Sequence, residues 1–253
     1  MTDLTGRVAV VTGAAQGIGF SIAERLGQSG AGLVLVDING DGLNDASVQL
    51  AGSAGKPLAI AADLTDPAAA QEVTARAVKH HGGVDILVNN AGIRVVSALR
   101  EHSLADWQRT LDVNLTAPFL LAQAVIPHML SRGKGKIVNI TSIAAELGIK
   151  NRAAYNVSKA GLAMLTKSIA LELGGQGIRC NAVAPGIIET PLNRHYFTDP
   201  DLNQVIVDAT PAGTRGAPPD IAAAVAFLAS DDADFINGAT LLVDGGWSAG
   251  KGY

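Results

Sequence analysis

The sequence contains few of the residues that form disulfides, metal sites or nucleic-acid surfaces. One cysteine among 253 residues excludes an internal disulfide and is typical of a reducing compartment. This residue, Cys180, lies in the apolar run "GIRCNAVAP", so we expect a buried and unreactive thiol. The five histidines include no pair at a metal-ligand spacing, so no metal site is predicted. A formal net charge of −4 argues against nucleic acid as a partner.

Long apolar runs are also missing. No window reaches the roughly 18 uninterrupted apolar residues of a membrane-spanning helix. The first residues, "MTDLTGRVAVVTG", lack the basic, apolar and cleavage regions of a secretion signal. We therefore expect no membrane partner and a cytoplasmic location. Hydrophobic residues nevertheless make up 48% of the chain and charged residues only 17%, which predicts a large buried core rather than global disorder.

What the sequence does contain is a series of short, β-rich apolar runs separated by segments of helical periodicity. Nearly continuous apolarity is typical of strands that are covered on both faces, as in a parallel sheet. Alternating strands and helices with right-handed crossovers predict a single doubly wound α/β domain over residues 1–253, with a parallel sheet flanked by helices on both faces. The runs occupy residues 7–13, 32–37, 57–63, 84–90, 135–142, 178–185 and 239–246.

An irregular segment, residues 187–220, precedes the last of these runs and holds five of the ten prolines. A connection of this length in a compact domain is usually functional. We therefore expect an insertion that forms the mobile wall of a cleft.

A glycine-rich turn, "TGAAQGIG", directly follows the first run and opens onto a predicted helix. Glycines at positions 13, 17 and 19 permit a tight turn, and a helix N-terminus presents free N–H groups to a pyrophosphate. The spacing Gly-x-x-x-Gly-x-Gly differs from the commoner dinucleotide fingerprint, so a purely structural turn remains an alternative.

The second run ends at Asp37, where a carboxylate can accept hydrogen bonds from an adenosine ribose. A carboxylate at this position would repel a ribose 2′-phosphate, and neither Gln16 nor Ile38 supplies a compensating cation. The sequence therefore predicts NAD(H) rather than NADP(H) as the cofactor, with an ordinary turn aspartate as the alternative.

Three further residues suggest proton transfer. Ser142 ends the fifth run, at the sheet edge where doubly wound domains bind ligands, and Tyr155 and Lys159 share one face of the following helix. A phenol is a weak base at neutral pH, and we expect the ammonium of Lys159 to lower the pKa of Tyr155. Ser142 would hydrogen-bond the reacting oxygen. The trio suits proton exchange with an alcohol while hydride moves to or from a cofactor.

A backbone argument adds Asn114. Pro118 has no N–H, so the carbonyl of Asn114 loses its helical hydrogen bond. We predict a kinked helix whose freed carbonyl holds a water leading toward Lys159, with a simple packing kink as the alternative.

In these residues the sequence resembles the short-chain dehydrogenase/reductase family over nearly its full length. The resemblance implies a single Rossmann-like domain with seven parallel strands, a homotetramer and a Ser-Tyr-Lys-Asn tetrad. In that tetrad Tyr155 is the acid/base, Ser142 orients the substrate, Lys159 binds the nicotinamide ribose and Asn114 holds the relay water. The residues that carry the resemblance are "TGAAQGIG", Asp37, "NNAG" (89–92), Asn114, Ser142, "YNVSK" (155–159), "APG" (184–186) and "VDGGW" (243–247).

The resemblance also implies a set of NAD contacts. It puts Asp63 and Leu64 by the adenine, Asn89 by the adenosine ribose, and Ile188 and Thr190 by the carboxamide, although a structural role for each remains an alternative. The predicted cofactor contacts are Gly13, Gln16, Gly17, Ile18, Gly19, Asp37, Asp63, Leu64, Asn89, Ala91, Gly92, Tyr155, Lys159, Pro185, Gly186, Ile188 and Thr190.

The substrate is less well defined by the sequence. Ser142 and Tyr155 are predicted to contact the substrate. Arg94 and His195 could also meet a carboxylate, while Glu146 and Asn193 could meet hydroxyls. The long loop carries a further polar candidate, Arg194, between Asn193 and His195. We predict a small-molecule substrate: a sugar, a polyol or a sugar acid.

Three alternatives to this function remain open. The first is reduction of a 3-oxoacyl thioester of a carrier protein or coenzyme A. From other classes, the alternatives are a catalytically silent dinucleotide-binding sensor or scaffold, and a methyltransferase with a similar glycine loop.

Overall fold

A computed structural model describes residues 2–52, 55–191, 193 and 195–250, without the side chains of His195 and Tyr196. Within these residues seven strands form one parallel sheet with helices on both faces, which confirms the predicted doubly wound α/β fold. The strands are β1 (Val8–Thr12), β2 (Gly32–Asp37), β3 (Leu58–Ala61), β4 (Ile86–Asn89), β5 (Gly135–Ile140), β6 (Ile178–Pro185) and β7 (Thr240–Val243).

The order of the strands across the sheet is β3-β2-β1-β4-β5-β6-β7. The chain therefore builds the sheet outward in one direction from β1 to β3 and in the other direction from β4 to β7. In doubly wound folds the reversal point opens a crevice at the carboxyl ends of the strands, and ligands bind there. In this sheet the reversal lies between β1 and β4, which are paired directly.

The helices cover the two faces of the sheet. The side chain of Asn39 caps the second helix by accepting from the N–H of Gly42, and Ser103 caps the fourth by accepting from the N–H of Asp106. The helices are α1 (Gly17–Gln28), α2 (Gly40–Gln49), α3 (Ala69–His81), α4 (Leu104–Leu111), α5 (Ala117–Ser131), α6 (Ala153–Leu173), α7 (His195–Thr198), α8 (Pro200–Asp208) and α9 (Pro218–Ala229).

The core has two layers, one on each face of the sheet. Val11 on β1 packs in the layer that contains Ile22 of α1 and Val225 of α9. Its neighbour Val10 packs in the opposite layer, which contains Leu121 of α5 and further residues of α3 and α6. Successive strand residues point to opposite faces, and both faces are covered. This explains why the strands appear in the sequence as continuous apolar runs.

Helices α4 and α5 belong to one helical run, Leu104–Ser131, which is long and apolar enough by length and composition to cross a membrane. In this fold 44% of its most apolar window is buried. Leu121, Val125 and Met129 of the run are almost fully buried in the core layer of that face.

The middle of this run is not α-helical. Residues Asp112–Thr116 form a π-helical segment in which the N–H of Ala117 donates to the carbonyl of Asp112, five residues back. The predicted interruption ahead of Pro118 therefore exists as a widened turn rather than a simple kink. It inserts where the proline removes an N–H from the helical ladder.

The segment predicted to be irregular, residues 187–220, contains α7, α8 and the start of α9. Helix α8 forms because the Asp199 carboxylate accepts from the N–H groups of Asp201 and Leu202, and Pro200 occupies the first helical position. An isolated parallel bridge between Ile188 and Gly216 ties the two ends of the segment together.

An ion-pair cluster lies at the amino ends of the strands, far from their carboxyl edge. Lys136 on β5 is buried, and its Nζ lies 2.6 Å from Oδ1 of Asp234. Nearby, Arg7 and Lys134 both contact the carboxylate of Asp231, which follows α9. The cluster joins the end of α9 to β1 and β5.

Cys180 is fully buried on β6. Its Sγ accepts a long hydrogen bond of 3.7 Å from Nδ2 of Asn139. Burial raises the pKa of its thiol to about 12, so the predicted unreactive thiol agrees with its surroundings.

Candidate active site

A cavity of about 920 Å³ opens at the carboxyl edge of the sheet, at the reversal of strand order. Its lining comes from the residues that follow β1 to β6 and from the helical runs around α4 and α6. All the predicted cofactor contacts line this cavity except Asn89. One space therefore collects predicted contacts that are as much as 177 positions apart in sequence, from Gly13 to Thr190.

The glycine-rich turn forms a cradle that leaves no room for a Cβ at Gly13 or Gly19. Gly13 and Gly17 have φ angles of +65° and +59°, a region that favours glycine. A Cβ on Gly19 would lie 2.0 Å from the carbonyl oxygen of Gly13. The side chain of Gln16, the N-cap residue of α1, makes no capping hydrogen bond, so the helix N-terminus is left to an anionic ligand. The cradle fits the pyrophosphate of a dinucleotide.

Asp37 lines the cavity beside this cradle. Its Oδ2 accepts from the N–H of Ala15 and its Oδ1 from the N–H of Asn39, each at 3.0 Å. The carboxylate is thus held between the glycine turn and the start of α2. Asp63, after β3, is also held locally, because it accepts from the backbone and side chain of Thr65, and these bonds lower the pKa of Asp63.

The prediction for Asn89 does not agree with its position. Its side chain is buried within the sheet, and its Nδ2 donates to Oδ1 of Asn139 at 2.8 Å. The next residue, Asn90, lines the cavity instead and donates to the carbonyls of Thr12 and Gly13. Alternation along a strand sends two adjacent asparagines in different directions, and the dipeptide alone does not say which one faces the ligand.

Ser142, Tyr155 and Lys159 line the cavity together. Ser142 follows β5, and its side chain hydrogen-bonds the phenol of Tyr155 on α6. The Nζ of Lys159 lies 5.8 Å from the centre of the Tyr155 ring and donates to the carbonyl of Ile140 at 2.8 Å. Helix α6 and the end of β5 therefore bring a hydroxyl, a phenol and an amine to one end of the cavity.

The pKa of Tyr155 differs from the sequence prediction. Burial raises the pKa of Tyr155, and the hydrogen bond from Ser142 and the charges of Arg94 and Arg152 oppose that rise without cancelling it. Burial also lowers the pKa of Lys159 to about 8. The expectation that Lys159 lowers the pKa of Tyr155 is therefore corrected for the chain alone. Desolvation of the phenol outweighs the effect of nearby positive charges, and those charges belong to Arg94 and Arg152.

Asn114 is fully buried behind the trio and does not line the cavity. Its Oδ1 accepts from the N–H of Ile93 at 2.8 Å, and its Nδ2 donates to the carbonyl of Ile93 at 2.9 Å and to Oγ of Ser158 at 3.0 Å. Oγ of Ser158 in turn donates to the carbonyl of Tyr155. The side chain of Asn114 therefore joins the π-helical segment, the loop after β4 and the helix that carries the phenol.

The predicted substrate contacts are only partly brought together. Arg94 lines the cavity, whereas Glu146, at the end of the short helical turn Ile143–Ala145, is exposed and lies outside it. Arg194 and the side chain of His195 lie outside the described residues.

Asn193 lines the cavity, but its amide is used within its own loop. Its Oδ1 accepts from the N–H and the hydroxyl of Thr190, and its Nδ2 donates to the carbonyl of Ile188 at 2.7 Å. The expectation that Asn193 meets a substrate hydroxyl is corrected accordingly: the side chain fixes the entry to the segment before α7.

Sequence reasoning missed several polar residues of the lining. The most informative is Arg152, the residue immediately before α6, whose position three residues ahead of Tyr155 was the available signal. Gln108, whose Nε2 donates to Asp112 at 2.8 Å, and Arg109, whose charge acts on Asp63, line the cavity from the run around α4. No group of three or more potential metal ligands occurs among the described residues.

Comparisons with known proteins agree with this geometry. A family model described as enoyl-(acyl carrier protein) reductase matches residues 13–248. The chain is 40% identical over 253 residues to 3beta-hydroxysteroid dehydrogenase 1 of Eggerthella lenta, covering 99% of this chain and 97% of the relative. It is 41% identical over 245 residues to D-threitol dehydrogenase of Mycolicibacterium smegmatis, covering 97% and 94%.

A solved structure shows the same architecture. It is a gluconate 5-dehydrogenase from Burkholderia cenocepacia J2315 in complex with NADP and tartrate. The TM-score is 0.93 at 36% identity, and the match covers 98% of each chain.

Proposed function

The chain belongs to the short-chain dehydrogenase/reductase family, and we propose that it uses NAD(H) to interconvert a secondary alcohol and a ketone on a sugar, polyol or sugar acid. It is an oxidoreductase that acts on CH–OH groups, as its relatives are. The observation that carries the proposal is the placement of Ser142, Tyr155 and Lys159 at one end of a cavity whose other end is a glycine cradle.

The residues present fit a dinucleotide. The glycine turn and the N-terminus of α1 would hold the pyrophosphate, Asp37 would accept from the adenosine ribose, and Lys159 would bind the nicotinamide ribose. When bound, the nicotinamide supplies a hydride acceptor or donor.

The protein's own residues handle the proton. Ser142 holds the substrate oxygen next to the phenol, and Tyr155 gives that oxygen a proton during reduction or removes one during oxidation. Burial keeps the chain's own phenol neutral at physiological pH, which is the form that donates to a ketone. The side chain of Asn114 fixes helix α6 relative to the loop after β4, through its hydrogen bonds to Ser158 and Ile93.

The preference for NAD(H) is supported by Asp37. Its carboxylate lines the cavity at the end of β2, and backbone N–H groups on either side fix it there. Ile38, next to it in the lining, brings no positive charge. A 2′-phosphate would meet a fixed negative charge.

A comparison of kcat/KM for the two cofactors tests this preference. We expect NAD(H) to exceed NADP(H) by about tenfold or more, which corresponds to roughly 1.4 kcal/mol of repulsion. Asp37→Ser should remove most of that ratio, whereas Asp41→Ser, on the exposed side of α2, should leave it unchanged. A wild-type preference for NADP(H) would contradict the assignment.

The reaction class is tested by following NADH absorbance with polyols, sugar acids and 3-hydroxyacyl thioesters as substrates. We expect turnover of hydroxylated sugars or their acids. Turnover restricted to thioesters would favour an acyl-thioester reductase. Saturable NAD binding without any turnover would favour a sensor or scaffold.

We further propose that the chain works as a cytoplasmic homotetramer. On α6, Val157, Met164 and Leu171 repeat at seven-residue spacing, which puts them on one side of the helix, and they are 48%, 60% and 87% exposed. A second copy would bury this apolar side. Light scattering that gives a mass other than that of four chains would contradict the proposal. The lone buried Cys180 supports a reducing compartment.

A further inference from the structure

Charge is unevenly distributed along the cavity. Two of the carboxylates in the described lining lie on one side of the reversal point: Asp37 ends β2, and Asp63 follows β3. The third, Asp112, lies one turn along the helical run from Arg109, whose charge reaches Asp63. The opposite side, beyond β4 and β5, carries positive charge instead.

Two guanidinium groups line the cavity at that opposite side. Arg94 follows β4, and Arg152 immediately precedes α6. The charges of both act on the phenol of Tyr155, so both lie near the oxygen that exchanges a proton. Both side chains are only partly buried, which leaves surface for a ligand.

The backbone under each arginine is fixed. Ile93, directly before Arg94, is held at both its N–H and its carbonyl by the side chain of Asn114. The carbonyl of Arg152 accepts from the N–H of Asn156 at 2.8 Å, in the first turn of α6.

The two segments are also tied to each other. The N–H of Ser97 donates to the carbonyl of Asn151 at 2.9 Å, which links the loop of Arg94 to the turn of Arg152. Asn151 has a φ of +62°, and no other non-glycine residue in the described part of the chain has a positive φ. A non-glycine residue in the left-handed region has a less favourable backbone conformation, so the hydrogen bonds around Asn151 must hold it in place.

We propose that Arg94 and Arg152 together bind a carboxylate of the substrate, so that the enzyme acts on a hydroxy acid and its keto acid rather than on a neutral polyol. Two preorganised guanidinium groups match the oxygens of a carboxylate. This inference rests on the proposed function. In oxidation the carbon that carries the hydroxyl would lose a hydride to the bound nicotinamide, its oxygen would lose a proton to the phenolate form of Tyr155, and the carboxylate would be unchanged.

Paired substrates test the proposal. Each pair consists of a hydroxy acid and the neutral alcohol with CH2OH in place of the carboxylate, such as D-gluconate and D-glucitol. We expect wild-type kcat/KM to favour the acid in the pair that is turned over best. Arg94→Gln and Arg152→Gln should each lower kcat/KM for the acid by about tenfold or more, mainly through KM, because each loses a hydrogen bond between charged groups. The same variants should change the value for the neutral partner far less.

Arg100→Gln provides the matched control. Arg100 is exposed, is paired with Glu101 and lies outside the cavity, so the variant should behave as wild type toward both members of each pair. Thermal melting of all variants checks that they are folded. The proposal is overturned if neutral alcohols or 3-hydroxybutyryl-CoA are the better substrates, or if the cavity variants lower both members of a pair equally.

Calorimetry separates failure of this inference from failure of the proposed function. Hydroxy acids are titrated into the wild-type protein and into Arg152→Gln, with NADH present. Acid binding that depends on Arg152 without turnover would support the carboxylate site while overturning the dehydrogenase assignment. Turnover of alcohols without acid binding that depends on Arg152 would support the dehydrogenase assignment and overturn the carboxylate site.

Discussion

At the scale of single residues, the chemistry depends on how one phenol is held. Tyr155 is partly buried at the end of the cavity, where Ser142 hydrogen-bonds its hydroxyl. Burial raises the pKa of this phenol even though two guanidinium charges oppose the rise. The alcohol-oxidising direction needs the phenolate. We therefore expect kcat/KM for oxidation to increase toward alkaline pH, while reduction proceeds at neutral pH.

Tyr155→Phe isolates the hydroxyl. The ring and its packing remain and only the proton donor is lost, so we expect kcat to fall by about 100- to 10,000-fold, the usual contribution of a general acid/base. The affinity for NAD, measured by fluorescence titration, should change by no more than a few-fold. Equal losses of binding and turnover would mean that the side chain shapes the cofactor site rather than exchanging protons.

The sequence located residues whose type alone carries chemistry, and it was less successful where geometry decides. Gly13, Asp37 and Tyr155 line the cavity because a tight turn, a strand end and a helix face leave few other places for them. Asn89 and Asn90 are identical neighbours, and only the direction of the strand separates the buried residue from the cavity residue. Similarly, hydrogen bonds within the loop engage the amide of Asn193, which residue type could not show.

At the scale of secondary-structure elements, the strands were predictable and the loop helices were not. The strands are buried on both faces, so their apolar runs are continuous in the sequence. Helices α7 and α8 lie in a proline-rich stretch that suggests irregular structure. Helix α8 depends on Asp199, whose carboxylate caps the helix, and on Pro200, which fits a first helical turn as well as a loop.

The π-helical segment offers a test of an element rather than of a single side chain. Pro118→Ala restores an N–H that can donate to the carbonyl of Asn114, four residues back, and so favours a regular α-helix. Rewinding would pull the side chain of Asn114 away from Ile93 and Ser158. We expect kcat to fall by at least about tenfold, as for a displaced positioning group, while thermal melting shows that the variant is still folded.

Pro127→Ala is the control for that change. Pro127 also lies inside α5, but it is exposed and remote from the π-helical segment. It should share any gain in stability without the loss of kcat. If Pro118→Ala kept full turnover, the widened turn would be a packing feature without a catalytic role.

At the scale of the whole molecule, the ion-pair cluster at the amino ends of the strands makes stability depend on pH. A hydrogen bond from buried Lys136 lowers the pKa of Asp234. A carboxyl whose folded pKa is lower than its unfolded value, about 4, stabilises the fold above that pH. The contribution is lost as the pH falls through the lower folded value. We therefore expect stability to decrease with acidification below about pH 4.

Asp234→Asn should reduce the free energy of unfolding at neutral pH by about 1–3 kcal/mol, because it leaves a buried ammonium without its carboxylate. It should also flatten the acid limb of the pH profile. Denaturant unfolding between pH 3 and pH 8 measures both effects. Asp232→Asn, at an exposed position in the same turn, should match the wild type. Equal behaviour of the two variants would show that the buried lysine does not need its partner.

The reversal of strand order between β1 and β4 has a consequence for how such a scaffold diversifies. The carboxyl ends of β2 and β3 carry Asp37 and Asp63, whereas the segments after β4 and β5 carry Arg94 and Ser142. In the proposed function, nucleotide choice and substrate choice therefore depend on residues at opposite sides of the reversal point. Substitutions on one side can then change the cofactor preference, and substitutions on the other side can change the substrate. Neither change requires a new set of residues for hydride and proton transfer.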